Sequence, residues 1–224
     1  MKEKILWIVP SRNRPKKLER FIESFLKCTT GHADLLIGLD SDDHSCDHLI
    51  KKYPQLMWEI NDPVKGSFLK VLNNMALKYA EQYQWLGFNE DDGIFKSPGY
   101  EEHFISKLKT LGKNGLVYAD DLIRKRKLIY FPVMDASIVK RLGFFVPPSL
   151  QCMYADNFWR DMADHLKSFH YFPELVIQHL HYTREKNEPK DDVSVSVDSF
   201  ATVDNQAYNE YIATQFKIDM EKLA

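Results

Sequence analysis

The sequence predicts an α/β fold, a central and mostly parallel sheet flanked by helices, and three observations carry that prediction. Two unbroken apolar runs, Ile5-Leu6-Trp7-Ile8-Val9 and Leu35-Leu36-Ile37-Gly38-Leu39, lack the alternation of a half-solvated strand and fit strands buried on both faces. Between them Leu18, Phe21, Ile22, Phe25 and Leu26 recur at helical spacing behind Pro15, which suits a first helical turn because its missing N–H is no loss there. Both runs then stop at polar residues, Ser11-Arg12 and Asp40-Ser41-Asp42-Asp43. A strand–helix–strand opening of this kind makes a right-handed crossover. Ligands in open α/β sheets bind off the carboxyl ends of the strands, so Ser11, Arg12 and Asp40 belong on one rim.

Asp40, Asp42 and His44 have the beginning of a calcium-loop spacing, but Ser45 stands where the loop needs Gly and Lys51 where it needs Glu. Asp43 or Ser45 is expected instead to cap a short helix through Tyr53. Leu56-Met57-Trp58-Glu59-Ile60 reads as a third strand, closed by Asn61-Asp62-Pro63. A helix from about Ser67 follows, with Phe68, Leu72, Met75, Ala76 and Tyr79 on one face. The fourth strand, Trp85-Leu86-Gly87-Phe88, runs into Asn89-Glu90-Asp91-Asp92 before Gly93 turns the chain. Three consecutive carboxylates repel one another. A divalent cation resolves that repulsion, because Mg²⁺ or Mn²⁺ takes oxygen ligands and leaves positions open for phosphate; a solvated acidic turn ahead of a helix near Pro98 is the alternative.

The second half changes character. After a helix with Phe104, Ile105, Leu108 and Leu111, the run Leu116-Val117-Tyr118-Ala119 reads as a strand, followed by the basic loop Arg124-Lys125-Arg126-Lys127. An extended stretch from Ile129 to Met134 leads into a short helix capped by Asp135 and ended by Gly143. Asp156 opens a helix with Trp159, Met162 and Leu166. From Leu175 to Tyr182 a strand places Ile177, His179 and His181 on one face. Glu185 to Asp204 is polar and patternless, which predicts a mobile loop, and Asn205 to Leu223 is a helical tail.

A chain of 224 residues, 44% hydrophobic and 28% charged, is of ordinary globular composition. Its net charge of -2 argues against non-specific nucleic-acid binding by bulk charge. Three cysteines without paired short spacing exclude a zinc ribbon or disulfide framework and fit a reducing compartment. No signal-peptide pattern and no run near the roughly 18 apolar residues of a membrane span is present, so a cytoplasmic location is expected.

In layout the chain resembles inverting glycosyltransferases of the GT-A fold, family 2. The resemblance rests on Val9 to Pro15, Gly38 to Asp43, Leu72-Asn73-Asn74, Phe88 to Asp92, Ala155 to Trp159 and Val176 to His181, in that order along the chain. It implies a GT-A domain over residues 1–185, with 186–224 a mobile loop and helical tail packed on it. It also implies roles. Pro10, Ser11, Arg12 and Asp40 would hold the base and ribose of a nucleoside-diphosphate sugar, a UDP-sugar being the first expectation, with Asn74 and Asp91 on the same ligand. Asp92, with Glu90 or Asp91, would bind Mn²⁺ or Mg²⁺, and His179 or His181 would complete the metal site. Asp156 would be the general base on the acceptor hydroxyl. Asn89 or Glu90 stands where the family's acidic motif begins with Asp, and Ala155 where Glu often precedes the base. The tryptophan motif of processive synthases is missing, which implies transfer of a single sugar.

The chemistry needs these residue types in any case. Expelling a nucleoside diphosphate requires charge stabilisation on the leaving phosphate and a base within reach of the attacking hydroxyl. A nucleotidyltransferase making a sugar nucleotide is the alternative enzyme, although Ser11-Arg12-Asn13-Arg14 lacks the glycines such enzymes carry after the first strand. A catalytically inactive nucleotide-sugar-binding module is the non-enzymatic one. The acceptor is the least specified partner: a glycan, a small molecule or, if the Arg124 loop flanks the site, an anion such as a nucleic acid with a hydroxylated base or an acidic glycan. Arg12 or Arg14 is expected near the donor phosphates.

Overall fold

The computed structural model describes residues 1–63, 67–185 and 188–224. Its strands are β1 (Lys2–Ser11), β2 (Ala33–Asp40), β3 (Met57–Asn61), β4 (Tyr83–Phe88), β5 (Gly93–Phe95), β6 (Leu116–Asp120), β7 (Val133–Asp135) and β8 (Phe169–His179). They form one sheet in the order β3-β2-β1-β4-β7-β6-β8-β5. The β1–β2, β2–β3, β1–β4 and β6–β8 pairs are parallel. The short strands β5 and β7 run antiparallel to their neighbours.

The unbroken apolar run of β1 is explained by burial on both faces. Ile5, Trp7 and Val9 pack with Leu18, Phe21, Ile22 and Phe25 of α1 (Pro15–Cys28) and Phe104 of α4 (Tyr100–Leu111). Leu6 and Ile8 face Leu72 and Met75 of α3 (Phe68–Tyr79) and Trp159 of α6 (Ala155–Leu166). Each such side chain fully removed from water contributes about 1.5–3 kcal/mol, so a polar residue at any of these positions would oppose the layer it faces. The indole Nε1 of Trp7 finds the Tyr100 hydroxyl at 2.8 Å, which satisfies its only donor inside that core.

Local signals end the helices where expected. Pro15 opens α1, Ser67 accepts from the Lys70 N–H at the start of α3, and Asp135 accepts from Ser137 at the start of α5 (Ala136–Leu142). Gly143, at φ 81°, closes α5 in the left-handed conformation.

Four expectations are corrected. Asp43 caps no helix: α2 (Asp47–Lys52) has Cys46 at its N-cap position, and the Asp43 carboxylate takes the N–H groups of Ser45 and Asn13. It ties the turn after β2 to the turn after β1. Ala155, behind Tyr154 at φ 67°, opens α6, and Asp156 lies in its first turn. β8 begins at Phe169, drawn in by pairing with Leu116, and ends at His179, so His181 lies beyond it. The stretch expected to be a loop carries α7 (Asp192–Asp198) and the start of α8 (Ala201–Thr214), ahead of α9 (Phe216–Glu221); residues 186–187 of it lie outside the described residues. Contacts distant in sequence hold α7. Asp191, its N-cap, takes the Ser194 N–H at 2.8 Å and binds Arg14 and Lys17.

Candidate metal and nucleotide site

Parallel pairing sets Ser11 beside Leu39 and Ile8 beside Phe88, so the turns after β1, β2 and β4 share a rim. The acidic turn after β4 is shaped by its own first and last residues. The Asn89 side-chain oxygen accepts the Glu90 N–H at 2.8 Å, and the Gly93 N–H closes on the Glu90 carbonyl at 3.0 Å. A Cβ at Gly93 would stand 1.9 Å from that same Asn89 oxygen, so this turn requires glycine.

The turn divides its carboxylates. Asp91 points to β1, where Ser11 Oγ donates at 2.7 Å and the Arg14 guanidinium at 3.2 Å. Asp92 and Glu90 point to β8. Antiparallel pairing sets His179 opposite Gly93, and His179 Nε2 lies 3.6 Å from Asp92 Oδ1 and 3.7 Å from Glu90 Oε2. One ligand atom from each of the three lies within 4.8 Å of the others.

Those contacts are too long for hydrogen bonds. Asp92 Oδ1 and both ring nitrogens of His179 are buried without a hydrogen-bond partner among the described residues. Nor are the contacts ion pairs. Burial, with His181 next in effect, lowers the His179 imidazolium to about 3, so the ring is neutral and offers a lone pair. The carboxyls are pushed the other way: burial and then Asp92 raise Glu90, burial raises Asp91 to about 6 against the pull of Arg14, and burial raises Asp92. Buried polar atoms are normally paired; two carboxylate oxygens and one imidazole nitrogen left facing one another fit a divalent cation.

A cavity of about 710 Å³ opens above this group. It is lined by Pro10, Ser11, Arg12, Asp40, Glu90, Asp91, Asp92 and His181, as well as by α7. Most of the residues anticipated for a donor and its metal thus meet in one place. Arg12 bonds Asp40 at 2.7 Å and also Asp42. Arg14 is engaged by carboxylates rather than left for phosphates, holding Asp91, Asp191 and the Ser194 hydroxyl. His181 bonds Thr183 through Nδ1, its ring centroid 5.2 Å from that of His179.

Asn74 does not belong to the site. It is exposed on α3, whereas its neighbour Asn73 points inward and bonds the Phe145 N–H and both backbone groups of Val146. Helical geometry turns adjacent residues about 100° apart, which separates the two roles. Asp156 lies outside the cavity lining, half-buried. Burial raises its carboxyl, and its charge is felt by Glu90 and by the Tyr130 hydroxyl.

Sequence reasoning missed Asp121, Tyr130, Asp191 and Asp204. Asp204, fully buried, accepts the N–H groups of Gln151, Cys152 and Met153 and anchors α8 beside the site. Tyr130 lies against His179, with ring centroids 4.7 Å apart. Only Asp191 carried a local signal, as an Asp directly ahead of the first turn of α7, at its N-cap position.

No protein-family model matches the chain, and no curated protein sequence does. Solved structures do match. TarS 1–349 of S. aureus, also solved in complex with UDP, superposes with a TM-score of 0.62 at 14% identity over 76% of this chain. The chain has the GT-A fold. It spans 58% of the length of that TarS structure. The mannosyltransferase PcManGT of Pyrobaculum calidifontis, in complex with GDP-Man and Mn²⁺, gives 0.59 at 13% identity over 99% of this chain and 73% of its own. Glucosyl-3-phosphoglycerate synthase of Mycobacterium tuberculosis, with Mn²⁺, UDP and phosphoglyceric acid, gives 0.62 at 13% identity over 92% and 78%. Among the described residues, no helix is long and apolar enough to cross a membrane.

Proposed function

We propose that the chain is a metal-dependent inverting glycosyltransferase that moves one sugar from a nucleoside-diphosphate sugar, first of all a UDP-sugar, to an acceptor hydroxyl. The observation that carries this reading is the Glu90–Asp92–His179 group, in which Asp92 Oδ1 and the His179 ring nitrogens have no hydrogen-bond partner among the described residues, under a cavity at the carboxyl ends of parallel strands. The ligands bound in the solved neighbours, UDP in one and GDP-Man or UDP with Mn²⁺ in others, support the donor class.

In this reading Glu90, Asp92 and His179 hold the cation, and the imidazole favours Mn²⁺ over Mg²⁺. When bound, the cation supplies positive charge against the diphosphate leaving group. Pro10, Ser11, Arg12 and Asp40 receive the nucleoside, and Arg14 holds Asp91 in place. Asp156 accepts the proton of the acceptor hydroxyl as that oxygen bonds the anomeric carbon, while the bond to the diphosphate breaks and its electron pair leaves with the phosphate. One displacement inverts the centre. Residues 1–185 are the transferase domain, with 186–224 belonging to the same domain as its loop and helical tail; three cysteines without paired short spacing fit a reducing compartment and so a cytoplasmic location.

The test is turnover of a panel of nucleotide sugars with Mn²⁺, following nucleoside diphosphate release and the anomeric configuration of the product by NMR. The expected result is release that Asp156→Asn slows by about 10²-fold or more without weakening UDP binding. Retention of configuration, or a fully active Asp156→Asn variant, contradicts the assignment of Asp156.

A further inference from the structure

The chain has two basic clusters, and the structure separates their fates. Around the first strand turn the cations are spent: Arg12 on Asp40 and Asp42, Arg14 on Asp91 and Asp191, Lys17 on Asp191. Arg124, Lys125, Arg126 and Lys127 are all exposed, and among the described residues none is in an ion pair. Four consecutive cations repel one another, so a chain of net charge -2 that leaves them unneutralised holds them ready for an outside anion.

This loop is built rather than loose. The buried Asp121 carboxylate accepts the N–H groups of Ile123, Arg124 and Lys125 at 3.1, 2.9 and 2.6 Å. Leu122 and Lys125 sit at φ 63° and 53°, left-handed values that cost a residue with a side chain about 1 kcal/mol or more. The loop is also fastened to the site. Arg160, one turn beyond Asp156 on α6, donates to the Arg126 carbonyl at 3.0 Å, and the His179 N–H donates to the Asp121 carbonyl at 3.1 Å. The Arg124 charge reaches the Tyr130 hydroxyl and the Asp156 carboxylate, countering part of the rise that burial imposes on both.

We propose that loop 124–127 binds a phosphate group on the acceptor, which is a compact phosphorylated alcohol whose free hydroxyl lies at Asp156. The inference rests on the transferase reading for the word acceptor. Arginine forks match phosphate oxygens bidentately, and four cations suit a dianion better than a single carboxylate. The acceptor is compact because the neighbouring cavity wall carries Glu90 and Asp192, neither in an ion pair with Lys or Arg among the described residues. A long polyanion leaving the loop in that direction would meet like charge.

The experiment titrates sn-glycerol 3-phosphate, glycerol and a single-stranded oligonucleotide into the full chain by calorimetry. It is run with and without UDP and Mn²⁺, at low and moderate salt. Variants are Arg124→Gln alone and the fourfold exchange of Arg124, Lys125, Arg126 and Lys127 for Gln; Asp121 continues to hold the backbone in both, and melting curves check the fold. The expected result is binding of glycerol 3-phosphate but not glycerol, weakened at least about tenfold in the fourfold variant and partly in Arg124→Gln. Log affinity falls with log salt, and UDP affinity is the same in all three proteins. Equal binding by parent and fourfold variant, no binding at low salt, or preference for the oligonucleotide overturns the inference. UDP binding without loop-dependent phosphate binding overturns this inference alone. Loop-dependent phosphate binding without UDP binding supports the phosphate site and removes the transferase reading.

Discussion

A neutral imidazole without a hydrogen-bond partner among the described residues, 3.6 Å from a carboxylate oxygen that also has none there, is held at a cost. Leaving a buried polar group unpaired costs about 1–3 kcal/mol, and His179 and Asp92 incur it together. A cation shared with Glu90 would repay it. His181, already bonded to Thr183 and outside that triad, has no such debt. His179→Ala should therefore weaken Mn²⁺ binding by roughly tenfold or more, and His181→Ala by much less; manganese titration by electron paramagnetic resonance measures both, and equal losses would refute the preference. Residue contrasts of this kind recur. Asn73→Ala strands the Phe145 and Val146 backbone groups and should cost about 2–4 kcal/mol in a urea melt, whereas Asn74→Ala should be nearly silent. The Leu72-Asn73-Asn74 string shows only that two polar residues interrupt a helix, not which of them turns inward.

Among the elements, α7 depends most on charge. The ordinary Asp191 carboxyl value is lowered because bonds from Arg14, Lys17 and Ser194 outweigh the burial that would raise it. A carboxyl depressed in the folded state binds fewer protons than in the unfolded chain, so its contribution is present above the unfolded value of about 3.9 and is lost as pH falls toward the lower folded one. Asp191→Asn keeps an N-cap residue but removes the charge. At pH 7 it should speed amide hydrogen exchange in residues 192–198 about fivefold or more, a loss of roughly 1 kcal/mol. The difference should shrink below about pH 3.9; a difference independent of pH would show that the charge is not what holds the helix. This element was illegible in the sequence for the same reason. Arg14 and Asp191 make their bond across 177 positions, and periodicity reports only neighbours. The strands were legible because their burial is written in consecutive residues: Ile5 to Val9 are each fully buried. The start of β8 was not, since Pro173 and Glu174 interrupt its apolar pattern and pairing with β6 supplies what the pattern lacks.

For the whole molecule, the order of the parallel strands gathers the site. β1, β2 and β4 deliver Ser11, Asp40 and the acidic turn to one rim, and β8 brings His179 opposite Gly93. The rim could be foreseen from strand ends and the right-handed crossover; the resemblance left His179 and His181 as alternatives beside it, and the antiparallel β5–β8 pair, three residues long, is what sets His179 opposite Gly93. The central claim is that this arrangement binds a nucleoside diphosphate through a cation held by Asp92. The most direct measurement is the calorimetric affinity of UDP with Mn²⁺ and with chelator, for the parent and for Asp92→Ala, with circular dichroism to confirm the fold. The account predicts Mn²⁺-dependent binding in the parent, weakened at least about a hundredfold in Asp92→Ala, more than 2.7 kcal/mol by the usual conversion. Mn²⁺-dependent affinity that survives Asp92→Ala unchanged, or UDP affinity that is the same in chelator, would contradict it.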